Sequence, residues 1–291
     1  MDTAILSPDR HFARLDLDDL NRIIDLDRYP LHEPDSPALV ALIARCRSEL
    51  DATCAAGLPD FIRPEAIARL ATEATALLPN SYRFVGEPRV TYFDPDPAAE
   101  GDPVAMDVRA REHANANNQI LNYQIPNNSD LRVMFLWPPL REFIAKVRRV
   151  PVLYPSQCPH LALTYKVAFE GDNDGWHYDP NDGVVTLLIQ SPDGGGEFEF
   201  APNIRSRQDE NYLGVQRLLD DPDTHGTRLT LAPGTLTFFN GRNSMHRVRP
   251  IGKTSRPRIV GIFSFDQSPD QAFGQGYIDK LHQLPQGPPV S

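Results

Sequence analysis

The sequence predicts an α+β fold, with a helical N-terminal half packed on an antiparallel β-core of the jelly-roll kind. Three observations carry this expectation. Apolar residues recur at helical spacing before about residue 80, and short apolar strands separated by strong turn signals dominate after Leu161. The 28 prolines among 291 residues also favour turns over long helices. Residues 1–150 are expected to be mainly helical and part of the same compact unit. Residues 151–291 are expected to form the β-core, closed by a C-terminal helix.

The helical half has local start signals. Ser36 or Asp35 can cap a helix through ALVALIARCRSELDATCAA, where Leu39, Leu42, Ile43, Cys46 and Leu50 share one face. A second helix is expected after Pro64, with Ile67, Leu70, Ala71, Ala74 and Leu77 along one stripe, and a third near Pro139 in LREFIAKVRRV. Between Tyr82 and about Asn128 the pattern is mixed and polar. Asn117 and Asn118 there are either wall residues or turn residues.

The β-core is expected from LALTYKVAF, GVVTLLIQ, GEFEFAP, TRLTL, TLTFFN, HRVRPI and PRIVGIFSF. GDNDG, SPDGGG, APG, NGRNS and GKTS break the series, and each is rich in residues that favour turns. One helix, ENYLGVQRLLD, interrupts it. Short strands at this spacing predict a sandwich or an open barrel.

Composition excludes several function classes. A net charge of −10 argues against a nucleic-acid surface, which needs clustered Lys and Arg. No apolar stretch has the length of a membrane span, and the first residues lack a basic region followed by an apolar run. Cys46, Cys54 and Cys158 have no paired or zinc-type spacing. A reducing, cytoplasmic setting is expected, with a small molecule as partner and no nucleic acid or membrane.

The chemistry is expected at His177, Asp179 and His246. His177-x-Asp179 follows the turn GDNDG at the start of a predicted strand, so alternation puts both side chains on one face. His246 opens another strand after NGRNS. Either element alone is common by chance. Together, two imidazoles and a carboxylate form the facial triad that holds non-haem iron(II) and leaves positions for a co-substrate and dioxygen.

Arg258 heads the last apolar strand, where a buried guanidinium can hold a carboxylate in a bidentate pair. A 2-oxoglutarate co-substrate chelates iron through its keto acid and needs its far carboxylate neutralised. Arg256 is the competing candidate, and an exposed loop is its ordinary reading.

From about residue 158 to 275 the chain resembles the double-stranded β-helix core of the Fe(II)/2-oxoglutarate-dependent dioxygenases. The resemblance rests on His177-x-Asp179, GGGEFEF, APGTLTFFNGRNSMHRV and RPRIVGIFSF. It implies that Arg258 binds 2-oxoglutarate. GGEFEFAPNIRSRQDENYLGVQRLL is similar to the family that hydroxylates or chlorinates free amino acids, with a lysine halogenase as its best-known type. Halogenases of that family carry a small residue in place of the metal-binding carboxylate. Asp179 stands there in this chain, so hydroxylation is the implied outcome, with desaturation or ring closure as alternatives.

The resemblance also implies a role for Tyr165 beside the co-substrate and for Asp174 beside the substrate. The ordinary reading of Tyr165 is a core aromatic with a satisfied hydroxyl. A substrate ammonium would suit Asp174, whereas a substrate carboxylate would need a cation such as Arg205 or Arg207. Solvated loop charges are the ordinary reading of both arginines. A rival function for the whole fold is a cupin-like protein that binds a metal or metabolite without oxygen chemistry.

Overall fold

The computed structural model describes residues 16–85, 91–179, 184–270 and 273–289. The chain enters through a short helix α1 (Leu17–Asn21), capped by the Asp16 carboxylate, and then α2 (Pro37–Thr53). In α2, Ser36 Oγ accepts from the Leu39 amide and Pro37 sits in the first turn. The helix stops where Cys54 takes a left-handed conformation, at φ 61°. Its buried stripe is Leu39, Ile43 and Cys46.

Strand β1 (Ala55–Leu58) follows, then α3 (Pro64–Leu77), which buries Ala66, Leu70 and Ala74, and β2 (Tyr82–Phe84). Helix α4 (Pro103–Ala110) leads to β3 (Asn117–Ile120). Helices α5 (Asp130–Leu136) and α6 (Pro138–Arg148) complete the first half. Helices therefore dominate before residue 150, but three strands from this half join the main sheet.

The second half supplies β4 (Tyr154–Pro155), β5 (Leu163–Ala168), β6 (Asp174–His177), β7 (Val184–Gln190) and β8 (Phe198–Ala201). After helices α7 (Tyr212–Asp220) and α8 (Pro222–His225) come β9 (Thr227–Leu229), β10 (Leu236–Phe239), β11 (Met245–Val248) and β12 (Arg258–Asp266). Helix α9 (Gln275–Leu281) ends the chain's regular structure.

Two antiparallel sheets face each other, giving the jelly-roll core. The larger runs β1-β10-β7-β12-β5-β3-β2, with β4 on β12, and the smaller runs β6-β11-β8-β9. The outer face of the larger sheet is covered by the N-terminal helices. Phe143 of α6 meets Phe238 edge-on with centroids 5.6 Å apart, and Phe135 of α5 lies 5.2 Å from Phe265. Alternation assigns odd residues of β12, such as Ile259, Phe263 and Phe265, to this helical core. Even residues, Arg258 to Asp266, face the space between the sheets.

Among the described residues no helix is long and apolar enough to cross a membrane.

Candidate metal centre and anion site

Between the sheets lies a cavity of about 530 Å³. Its walls include Thr164 and Lys166 of β5, Thr186 of β7, Thr237 and Phe239 of β10, and Val260, Ile262 and Ser264 of β12. The smaller sheet contributes Asp174, His177, Phe198, His246 and Val248. His177, Asp179, His246 and Arg258 thus open into one space.

The three candidate ligands converge. One donor atom from each of His177, Asp179 and His246 lies within 4.8 Å of the others. His246 and His177 are directly opposed in the register of β11 and β6, and their ring centroids are 4.2 Å apart. His177 is the last residue of β6, rather than near the start of a strand, and Asp179 lies just beyond it. The strand's end puts the carboxylate where the backbone is released from the sheet.

Both imidazoles are set by carbonyls. His177 Nδ1 lies 2.7 Å from Gly175 O, and His246 Nδ1 lies 3.0 Å from Ser244 O. A carbonyl can only accept, so in the neutral ring each Nδ1 carries the proton and each Nε2 bears a lone pair. His246 Nε2 then faces Asp179 Oδ1 at 3.6 Å. Lone pairs turned toward one another repel unless a cation sits among them, so this donor set fits a metal ion. Carbonyl-oriented imidazoles of this kind also hold metals in a defined direction. Two His and one Asp suit non-haem iron(II), the ion for which this donor set is diagnostic.

A second charged group lies deeper. Asp174 is opposite Val248, whereas His177 is opposite His246. Three residues of extended chain separate Asp174 from His177, roughly 10 Å. Lys166 Nζ lies 2.6 Å from Asp174 Oδ2. Arg258 shares this end of the cavity and is only 9 % exposed. Burial lowers its guanidinium pKa to about 10, against the opposing pull of Asp174, so it stays cationic at neutral pH. One buried and one partly buried cation against one buried carboxylate leave a positive surplus at this end, which suits an anion.

Glycine shapes this end. Gly196 has φ +72°, and a Cβ there would lie 3.2 Å from Arg258 Cδ and 2.5 Å from Ile251 Cδ1. Arg256, by contrast, is exposed and pairs with Asp193 at 3.3 Å.

Three sequence expectations need correction. Tyr165 does not reach the cavity: its neighbours Thr164 and Lys166 do, so alternation turns Tyr165 into the helical core, where its hydroxyl donates to Glu73 Oε1 at 2.5 Å. Arg205 is neither a cavity-lining cation nor a solvated loop charge. It is buried, pairs with Glu210 at 3.0 Å, donates to Arg242 O at 2.7 Å and lies 3.6 Å over the Tyr178 ring. Asp174 lines the cavity, but as the first residue of β6 paired with Lys166 at the deep end, not in a loop beside the metal donors.

Lys166 is a cavity-lining cation that the sequence alone does not single out. Its signal was a lone charge inside the apolar run LALTYKVAF. Trp176 points away from the cavity as alternation requires, with Arg247 stacked 4.7 Å over its ring. Asn118 is a structural residue: it donates to Ser81 Oγ and Gly287 O, both at 2.7 Å.

With this geometry in place, the comparisons are informative. The family model for Halogenase D (HalD) matches residues 103–274, more than half of the chain. The non-haem α-ketoglutarate-dependent carbocyclase SnoK from nogalamycin biosynthesis superposes with a TM-score of 0.54 at 10% identity, covering 85% of this chain and 92% of its own. The epimerase SnoN from the same biosynthesis gives 0.52 at 14% identity, covering 87% and 96%. HygX from Streptomyces hygroscopicus, solved with nickel, 2-oxoglutarate and hygromycin B, gives 0.50 at 12% identity, covering 76% and 86%. These likenesses show a shared fold. Nothing among the curated proteins matches.

Proposed function

The chain belongs to the halogenase D family, and from that premise we propose that it is an iron(II)- and 2-oxoglutarate-dependent hydroxylase acting on a small polar substrate, most simply a free amino acid. The observation that supports this reading is the pairing, in one cavity, of a complete His177–Asp179–His246 donor set with a buried Arg258. The cavity volume, about 530 Å³, suits a small co-substrate and a small substrate.

In this reading His177, Asp179 and His246 would hold iron(II). With 2-oxoglutarate and dioxygen, the bound metal supplies oxidation of an unactivated carbon–hydrogen bond. The protein's own part is positional. Gly175 O and Ser244 O keep both imidazoles in the metal-binding tautomer. Arg258 neutralises the distal carboxylate of 2-oxoglutarate, and Asp174 holds Lys166 beside it. Phe198, Phe239, Val260 and Ile262 make the cavity walls apolar, which limits water at the reacting carbon. Asp179 occupies the ligand position that a halide takes in a halogenase, which favours oxygen insertion over chlorination. Desaturation or ring closure would start from the same hydrogen abstraction. The three unpaired cysteines suit a reducing, cytoplasmic setting.

The test has two arms. Anaerobic addition of iron(II) and 2-oxoglutarate should produce a weak visible charge-transfer band, lost in His246→Ala. Incubation with free amino acids should then give 2-oxoglutarate turnover and a product that gains one oxygen atom by mass. A product that instead loses two hydrogens would assign desaturation or cyclisation. A folded protein that binds the metal but turns over no 2-oxoglutarate with any substrate would favour a metabolite-binding role.

A further inference from the structure

The turn between β10 and β11 is tied from several sides. Asn240 N donates to Cys54 O at 3.0 Å, and Ser244 N donates back to Asn240 O at 3.0 Å. Arg205 takes the carbonyls of Arg242 and Asn243, at 2.7 Å through Nε and 3.2 Å through its backbone amide. Arg242 itself pairs with Asp94 at 3.1 Å. Gly241 sits inside this strapped turn, and its carbonyl accepts from Asp179 N at 3.0 Å.

The space beside Gly241 is filled by the Asp179 carboxyl group. An ideal Cβ on Gly241 would lie 2.6 Å from Asp179 Cγ and 3.1 Å from Asp179 Cβ, and closer still to Oδ2. Real Cβ atoms do not approach below about 3.0 Å, so one side must move. The φ of Gly241 is not in the left-handed region, so its φ does not itself demand glycine. Glycine is therefore required by the neighbouring carboxylate and not by the turn. Because the turn is held from outside, the carboxylate is the part that would yield.

We propose that Gly241 is a positioning residue for the metal-binding carboxylate. Its missing side chain is the recess that lets Asp179 aim at the point shared by His177 and His246. The proposal rests on reading those three residues as the ligand set. It carries a corollary about specificity: with a small residue at 179 the same recess opens beside the metal, and any other ligand taking that position depends on glycine at 241.

Three variants of the full chain test this: Gly241→Ala, Asp179→Gly and the double variant. Each is measured metal-free for its Tm and then titrated anaerobically with iron(II). Gly241→Ala should weaken iron(II) binding by about tenfold or more, the range seen when groups supporting a metal ligand are altered. Its loss of Tm should vanish in the Asp179→Gly background, because the clashing carboxylate is gone. If Gly241→Ala fails to fold, a folded double variant supports the proposal, and failure of both overturns it. Iron(II) affinity within twofold of wild type in Gly241→Ala overturns it as well, as does an equal Tm loss in both backgrounds. A wild-type chain that binds no iron(II) would remove the metal reading, while the Tm cycle would still report whether residue 241 and Asp179 compete for one space.

Discussion

The Tyr165 hydroxyl donates to Glu73 Oε1 at 2.5 Å, joining β5 to α3 on the face of the larger sheet away from the cavity. Glu73 also accepts from Ser129 Oγ at 2.6 Å, so the Tyr165 bond is one strut of a three-residue network. Burial, followed by the Glu73 carboxylate, raises the phenol's pKa and keeps it a donor. Tyr165→Phe should cost about 1–3 kcal/mol, because it removes a bond to a charged acceptor. Denaturant unfolding measures that loss. The apparent affinity for 2-oxoglutarate should be unchanged, and a large rise in its KM would return Tyr165 to the co-substrate site.

Arg258 and Arg256 differ in what surrounds them, although only Pro257 separates them. Arg258→Ala should raise the Kd for 2-oxoglutarate more than tenfold, consistent with about 2–5 kcal/mol for truncating one side of a shielded charge pair. Arg256 pairs with Asp193 at the surface, where such pairs contribute about 0–1 kcal/mol. Arg256→Ala should leave the Kd near wild type. Titration calorimetry on the anaerobic iron(II) protein compares the two, and the opposite ranking would mean that Arg258 is not the anchor.

Asp179 sets the expected product. The wild-type chain should insert oxygen even at high chloride, because in the proposed reading the carboxylate takes the ligand position a halide would need. Asp179→Gly opens that position but removes a negatively charged ligand, so metal binding should weaken and activity should nearly vanish, with trace chlorination at most. Product mass with and without chloride decides this. Chlorinated product from the wild-type chain would overturn the role given to Asp179.

His113 should make stability pH-dependent. Its Cβ and backbone pack against Gly175, and burial, aided by Arg111 and Arg247, lowers its pKa from 6.5 to about 4. The folded state therefore favours the neutral ring, while the unfolded chain takes up a proton near 6.5. Stability from this residue is complete above about pH 6.5 and is lost as pH falls toward 4. Unfolding free energies across that window should fall less steeply in His113→Leu than in wild type. Parallel slopes would assign the acid sensitivity to other groups.

Much of the candidate site is legible in the linear sequence because its signals are local. His177-x-Asp179 and His246 are each marked by a turn followed or preceded by a short strand, and Arg258 by its place at the head of an apolar strand. The helix starts at Ser36 and Pro64 were likewise written in capping residues and apolar spacing. What only the tertiary structure decided depends on pairing between distant segments. Strands β1, β2 and β3 come from polar or very short stretches whose extended form is held by their partners, β10 for β1, β3 for β2 and β5 for β3. Alternation along β5 is predictable, but which face meets the cavity is not, so Lys166 lines it while Tyr165 lies in the helical core. Asp174 acquired its meaning from Lys166 across the fold, Arg205 from Glu210 and Tyr178, and Gly241 from Asp179. A residue's type and spacing limit the chemistry it can perform, whereas the charge or carboxylate brought against it by a distant strand decides which of those chemistries it serves.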